Sequence, residues 1–174
     1  RKLGFKHVHE VAFGADLVAR AYQELLAKGE HGKIATTCPA VVLYVEKYIP
    51  ELIGHLAPIV SPMVATARMV KKLRGTGVKT VFIGPCTAKK HEGMDEDLEH
   101  EVDAVVTFIE IADMLRTAGI EAGEPDHGFD APLSRMGALF PLCGGMLQAA
   151  DIAEDLLAGQ VVSADGHQFV PALK

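Results

Sequence analysis

The sequence predicts an α/β fold: an open parallel sheet of about four strands with helices on both faces, in a single unit over residues 1–174. Three observations lead there. Four short runs rich in β-branched and apolar residues recur, at 7–13 (HVHEVAF), 33–38 (KIATTC), 79–86 (KTVFIGPC) and 102–108 (VDAVVTF), a composition that suits strands. Each is followed by a segment whose apolar residues have helical spacing. Strands that alternate with helices run parallel, because the helix carries the chain back to the end of the sheet it started from.

The elements follow in order. In the first helical segment Leu17, Ala21 and Leu25 fall at i, i+4 and i+8, with Val18, Tyr22 and Leu26 beside them. This is one apolar stripe for a sheet to cover, and Lys28-Gly29 marks its end. After Cys38, PAVVLYVEKYIPELIGHLA is helical in spacing but contains Pro50, whose ring and missing N–H end or kink the helix. SPMVATARMVKKLRGTG opens on Ser61-Pro62, a helix start, and closes at Gly75 or Gly77. IEIADMLRTAG continues from the fourth strand to Gly119, and the turn-rich, acidic residues 120–133 read as a loop. A last helix is expected over about 144–157. The tail, 159–174, reads either as a strand or as part of a further lobe.

At 174 residues and 49% hydrophobic, the chain has enough apolar surface for one substantial core and too little length for a second complete domain. A net charge of -6 with scattered basic residues argues against nucleic acid or an anionic membrane as the main partner. No apolar run approaches the roughly 18 residues that membrane insertion requires, and the N-terminus lacks a signal-peptide pattern, so the expected location is cytoplasmic. The chain begins at Arg1, and it reads as a piece of a longer polypeptide.

Three cysteines, Cys38, Cys86 and Cys143, are too few and too far apart for a disulfide framework or a local zinc site. Two of them close predicted parallel strands, Cys38 ending KIATTC and Cys86 ending KTVFIGPC. That edge of an open α/β sheet is where ligands bind. Pro39 after Cys38 suits a first helical position, which puts the sulfur at a helix N-cap, and Lys89 stands three residues after Cys86; both contexts favour thiolate, the metal-ligating form. A lone cysteine beside an apolar run is most often a small buried hydrophobe. Two at equivalent strand ends, each beside a proline, tip the balance towards a site. The residues alone leave iron–sulfur ligation, a redox dithiol and a nucleophilic cysteine open. The eight histidines form no metal-spaced pair: His7 and His9 read as surface positions on a strand edge, and His91 lies within the second cysteine motif.

TTCPAVVLYVEKYIPELIGHLAPIVSPM, GPCTAKKHE and VDAVVTFIEIADML resemble the catalytic domain of the FeFe-hydrogenases in order, spacing and residue choice, over about 13–150. The resemblance implies one Rossmann-like lobe of that domain. It also implies a 4Fe-4S cubane bridged to a two-iron unit carrying carbon monoxide and cyanide, with Cys38 and Cys86 as two of the four cubane ligands. Lys89 would hydrogen-bond a cyanide, and Glu92 would sit near the proton route or form a structural ion pair. Pro62 would line the two-iron pocket and Phe140 would close it. The implied partners are hydrogen and protons, an electron-transfer protein or ferredoxin-like domain, and, in the parent chain, a signalling domain.

Several positions depart from the family. No cysteine follows Cys143, so the later glycine-rich motif with two more ligands is missing, and two thiolates cannot hold a cubane as four do. Alone, the chain is expected to bind the cluster weakly and to be inactive. Cys143 itself is expected to be packing. Thr37 stands where the family has a proton-relaying cysteine, Ala57 where a serine is expected, and Tyr22 and Leu25 nearest the expected glutamates. Gly84 replaces a methionine and Met63 a glutamine at cofactor-lining positions. A threonine hydroxyl does not titrate near neutral pH and alanine cannot hydrogen-bond, so the usual proton relay is expected to fail. The pattern resembles the sensory branch of the family, with slow turnover. The rival reading is an iron–sulfur assembly scaffold of the hydrogenase-like kind, without hydrogenase activity.

Overall fold

The computed structural model describes residues 1–98, 100–121, 123, 128–154, 161–164 and 166–173. Its elements are α1 (Val11–Ala27), α2 (Pro39–Tyr48), a 3-10 turn (Pro50–His55), α3 (Pro62–Arg74), β1 (Val81–Gly84), α4 (Ala88–Glu92), β2 (Ala104–Thr107), α5 (Phe108–Thr117), a 3-10 turn (Gly137–Leu139), α6 (Gly145–Ala149) and α7 (Phe169–Ala172). The architecture is α/β with a parallel sheet, as the alternation of patterns predicts. β1 and β2 pair in register from Val81↔Ala104 to Gly84↔Thr107.

The sheet among the described residues has two strands where about four were expected. The other two runs place their backbone groups elsewhere. In the first, residues 11–13 already belong to α1, and Val8 is held by the 128–130 loop: its N–H donates to the Asp130 carboxylate at 2.7 Å and its carbonyl accepts from Asp130 N at 2.7 Å. The second makes a single parallel bridge, Ile34↔Leu56, before Thr36 turns its N–H to the Tyr22 hydroxyl. Every backbone donor needs a partner, and these two segments find theirs in side chains and loops.

α1 therefore lies on α3 rather than on a sheet. Gly14, Ala15, Val18, Ala19 and Tyr22 are its buried face, and Met63 to Ala67 are that of α3. Gly14 permits the close approach, since a Cβ there would collide with the Thr66 hydroxyl and the Pro62 carbonyl. Two core clusters flank α3. Val18, Tyr22, Ala57 and Ala65 form one, joined by Phe140 and Met146; Met63, Val64, Ala67 and Val102 form the other, joined by Phe82 and Val105 of the strands.

Helix ends follow local chemistry. α2 stops at Tyr48 before Pro50, and α3 starts at Pro62 and ends before Gly75, whose φ of 94° favours glycine. α5 opens with a capping box: the Thr107 side chain accepts from Glu110 N while the Glu110 carboxylate accepts from Thr107 N. The starts of β1 and β2 are clamped by Asp103, which accepts from Lys79 Nζ at 2.8 Å and Thr80 N at 2.7 Å. Burial opposes ionisation of Asp103, but these bonds and the Lys79 charge outweigh it and hold its carboxyl below the usual range.

α6 is shorter than the expected helix and ends at Ala149; Asp151 takes a positive φ of 50°, and 155–157 lie outside the described residues. The described part of the tail forms a 3-10 turn and α7 rather than a strand, and the Phe169 ring stands edge-on to Tyr44 of α2 at 5.5 Å. Residues 159, 160, 165 and 174 of the tail are outside the description. No described helix is long and apolar enough to cross a membrane.

Candidate functional site

Cys38 is the N-cap residue of α2, in extended conformation, with Pro39 as the first helical residue and the thiol exposed. It does not close a strand, but the helix start is the predicted one. Cys86 follows Gly84-Pro85 at the C-terminal end of β1, half-buried, two residues before α4 begins. Gly84 is buried, and a Cβ there would press on the Phe82 ring, so glycine lets that ring fold over the strand end.

Lys89 joins the two cysteine segments. From the first turn of α4 its Nζ donates to Glu92 Oε2 at 2.7 Å and reaches the Thr37 carbonyl, next to Cys38, at 3.4 Å. The two side chains are only 12% and 11% exposed, so Glu92 forms a nearly buried ion pair within one helical turn. A third element meets them: the Thr37 hydroxyl donates to Met146 Sδ of α6 at 3.9 Å. The structure thus gathers Thr37, Lys89 and Glu92, with Cys38 next to Thr37 in the chain and α4 carrying the segment of Cys86 against α2.

The remaining predicted positions lie deeper. Pro62 is half-buried at the start of α3 and Phe140 packs on the first core cluster. Met63 is 2% exposed at the centre of the second cluster, among apolar neighbours. Beside Pro62, the Ser61 hydroxyl is buried and has no hydrogen-bond partner among the described residues, an orphaned polar atom at the N-terminus of a thirteen-residue helix. His91 is exposed. Cys143, expected to pack, is exposed as well; the chain buries Gly145 instead, where a Cβ would strike the Leu139 carbonyl. His7 and His9 are half-buried rather than surface residues, and His9 Nδ1 bonds the Asp130 carbonyl at 3.1 Å.

Pattern reading missed the polar hub behind Cys38. Tyr22, 6% exposed, accepts from Thr36 N at 2.8 Å and lies 3.1 Å from Thr36 Oγ1, which reaches the Ile59 carbonyl at 2.5 Å and that of Ala57 at 3.1 Å. Burial pushes the Tyr22 phenol above its ordinary value, against its hydrogen bonds with Thr36. The available signal was a tyrosine within an apolar helix stripe, since a buried phenol requires a polar partner.

For a metal, Cys38 and Cys86 would be two soft sulfur donors. Among the described residues no group of three or more His, Cys, Asp and Glu gathers to hold a metal ion. The donors thus suit an iron–sulfur cluster in kind and supply half of a four-thiolate set in number.

The fold is that of the iron hydrogenases. The chain matches the family model described as iron only hydrogenase large subunit, C-terminal domain, over residues 1–169, and it belongs to that family. It is 32% identical to iron hydrogenase 1 of Clostridium pasteurianum over 86% of this chain and 30% of that protein. It is also 32% identical to the periplasmic Fe hydrogenase large subunit of Nitratidesulfovibrio vulgaris over 86% of this chain and 41% of the relative. The cytosolic Fe-S cluster assembly factor NAR1 of Kluyveromyces lactis is 32% identical over 69% of this chain and 26% of its own length. A solved FeFe-hydrogenase superposes with a TM-score of 0.71 at 28% identity, over 86% of this chain and 44% of that one. HydA1 of Chlamydomonas reinhardtii does so at 0.68 and 27%, covering 86% and 43%. The chain spans less than half the length of each of these relatives.

Proposed function

We propose that this chain supplies Cys38 and Cys86 as two of four thiolate ligands to an iron–sulfur active-site cluster of hydrogenase type, within a longer protein that interconverts hydrogen with protons and electrons, slowly and in a sensory role. The observation that carries the reading is Lys89, whose ammonium spans the two cysteine segments, from Glu92 on one side to the Thr37 carbonyl on the other. When bound, the cluster supplies the redox chemistry. The chain's own residues hold and shape it: two sulfurs ligate, Lys89 presents positive charge to an anionic ligand, Pro62 and Phe140 wall the pocket, and the orphaned Ser61 hydroxyl offers one polar contact.

Thr37 supports the slow, sensory assignment. Its hydroxyl is committed to the Met146 sulfur and does not titrate in the physiological range, so it cannot pass protons as a thiol does. Electrons would come from a ferredoxin-like domain or protein, a signalling domain would read the state, and the two remaining ligands would come from elsewhere in the parent. The proposed location is cytoplasmic; the relatives include both cytosolic and periplasmic proteins.

The assembly-factor reading is favoured by one observation, the 32% identity to NAR1. Lys89 favours the hydrogenase side, because a scaffold has no cyanide for an ammonium to meet, although the Glu92 pair also gives its charge a structural partner. Anaerobic reconstitution of the parent protein decides. Iron uptake that Cys38→Ala and Cys86→Ala each abolish, with slow hydrogen turnover, is the expected result. Iron uptake without any turnover would establish the scaffold, iron content indifferent to both substitutions would overturn cluster binding here, and turnover matching fast hydrogenases would overturn the sensory role.

A further inference from the structure

We infer that Tyr22 and Thr36 are a positioning pair for the Cys38 ligand: a hydroxyl hub that fixes the cysteine segment onto the core while offering protons no way through. The inference rests on the proposed reading of Cys38 as a cluster ligand.

Proton counting gives the hub a single arrangement. Thr36 N–H donates to the Tyr22 oxygen. Thr36 Oγ1 carries one proton, and the carbonyls of Ile59 at 2.5 Å and Ala57 at 3.1 Å can only accept it. The contact between the two hydroxyls is therefore made by the Tyr22 proton, with Thr36 Oγ1 accepting. The chain of donors runs from Tyr22 through Thr36 to a backbone carbonyl and stops there.

Three parts of the molecule meet at this point. Tyr22 belongs to α1 and to the first core cluster, Thr36 stands two residues before Cys38, and the accepting carbonyls belong to the 57–61 segment that leads into α3. The segment around Thr36 is in no strand, since the nearest ladder contact is the single bridge at Ile34. With no sheet to hold it, the backbone between that bridge and the N-cap of α2 is located by the hub and by the reach of Lys89 to the Thr37 carbonyl. A cluster ligand must hold its sulfur to within a fraction of an ångström, and such precision comes from the bonds behind the ligand.

The test uses the reconstituted parent protein and follows iron loss to a chelator after removal of free iron. Tyr22→Phe deletes the hydroxyl and retains the ring, Thr36→Val deletes the other hydroxyl, and Thr36→Ser restores it. Tyr22→Phe and Thr36→Val each delete two hydrogen bonds of the hub and are expected to release iron at least about fivefold faster than the unmodified protein, the factor that accompanies loss of one ordinary bond, with Thr36→Ser restoring the original rate. Val18→Ala, a change in the same core cluster that leaves the hub intact, controls for general loosening and is expected to leave the release rate unchanged. Should Tyr22→Phe fail to fold, the Thr36→Val and Thr36→Ser pair carries the comparison. Equal release rates in the hub variants and the unmodified protein, or equal acceleration by Val18→Ala, would overturn the positioning role. If Cys38→Ala keeps its full iron content, the ligand assignment fails instead.

Discussion

The Lys89–Glu92 pair makes the sharpest energetic demand in the site. Replacing Glu92 by glutamine leaves the size unchanged and strands an ammonium whose other contact, the Thr37 carbonyl at 3.4 Å, is longer than a good hydrogen bond. Breaking a fully buried pair costs roughly 3–5 kcal/mol, whereas exposed pairs contribute about 0.2–1 kcal/mol. At 12% and 11% exposure this pair stands nearer the buried limit, and the glutamine oxygen still accepts one bond, so Glu92→Gln is expected to cost about 2 kcal/mol. For a chain of this length that lowers Tm by about 4–8 °C. Urea unfolding followed by circular dichroism, on Glu92→Gln, Lys89→Met and the double variant, measures it. The double variant is expected to recover at least about 1 kcal/mol relative to the sum of the singles, because removing both charges leaves neither stranded. A Glu92→Gln cost under about 0.5 kcal/mol, or simple additivity, would refute the picture of a sequestered pair holding the two cysteine segments together.

Other changes test the surrounding structure. Glu110 is held down to about 2 by the hydrogen bond from Lys90, then by those from the Thr107 N–H and hydroxyl. Because the folded value lies below the ordinary 4.5, its stabilisation is present above that pH and is lost as pH falls from 4.5 towards about 2; Glu110→Gln is expected to flatten this stretch of the acid-unfolding profile. Thr107→Ala removes the α5 cap and is expected to cost about 1 kcal/mol in denaturant titrations. Met63→Ala, at a fully buried core position, is expected to cost about 2–5 kcal/mol, whereas a side chain that mainly lined an open cofactor pocket would cost far less. Gly137→Ala would drive a Cβ into the Ala12 carbonyl and is expected to lower Tm sharply in a thermal melt.

Where the chain punctuates itself with proline and glycine, the fold was legible. Pro39, Pro50, Pro62, Gly75 and Gly119 each mark an observed helix boundary. The runs at 79–86 and 102–108 hold the two strands, Val81–Gly84 and Ala104–Thr107, for the reason their composition suggested. The runs at 7–13 and 33–38 are of the same kind and have different outcomes, because their partners are distant: Asp130 for Val8, Tyr22 and the 57–59 carbonyls for Thr36. Local periodicity carries no information about such partners. The ion pair from Lys89 to Glu92 was legible as a motif spacing, but its sequestration depended on how α4 meets α2, which only the assembled chain reveals.

Three departures from the hydrogenase pattern, at Tyr22, Ala57 and Thr37, are neighbours in space. Tyr22 and Ala57 share the first core cluster, the Ala57 carbonyl accepts from Thr36, and Thr37 follows directly. A relay through this region would need titratable or reorientable groups in sequence. The chain instead places an apolar methyl at Ala57, a phenol whose proton is spent on Thr36, and a hydroxyl at Thr37 turned to a thioether. Restoring a single relay group would leave the others blocked: Thr37→Cys alone faces the same carbonyl-terminated hub. Under the proposed function, hydrogen turnover in the reconstituted parent is therefore expected to rise little with Thr37→Cys and to rise substantially when Ala57→Ser and Tyr22→Glu accompany it. A large gain from the single change would show that Thr37 by itself limits proton delivery, and that the hub behind it has no part in the slow rate.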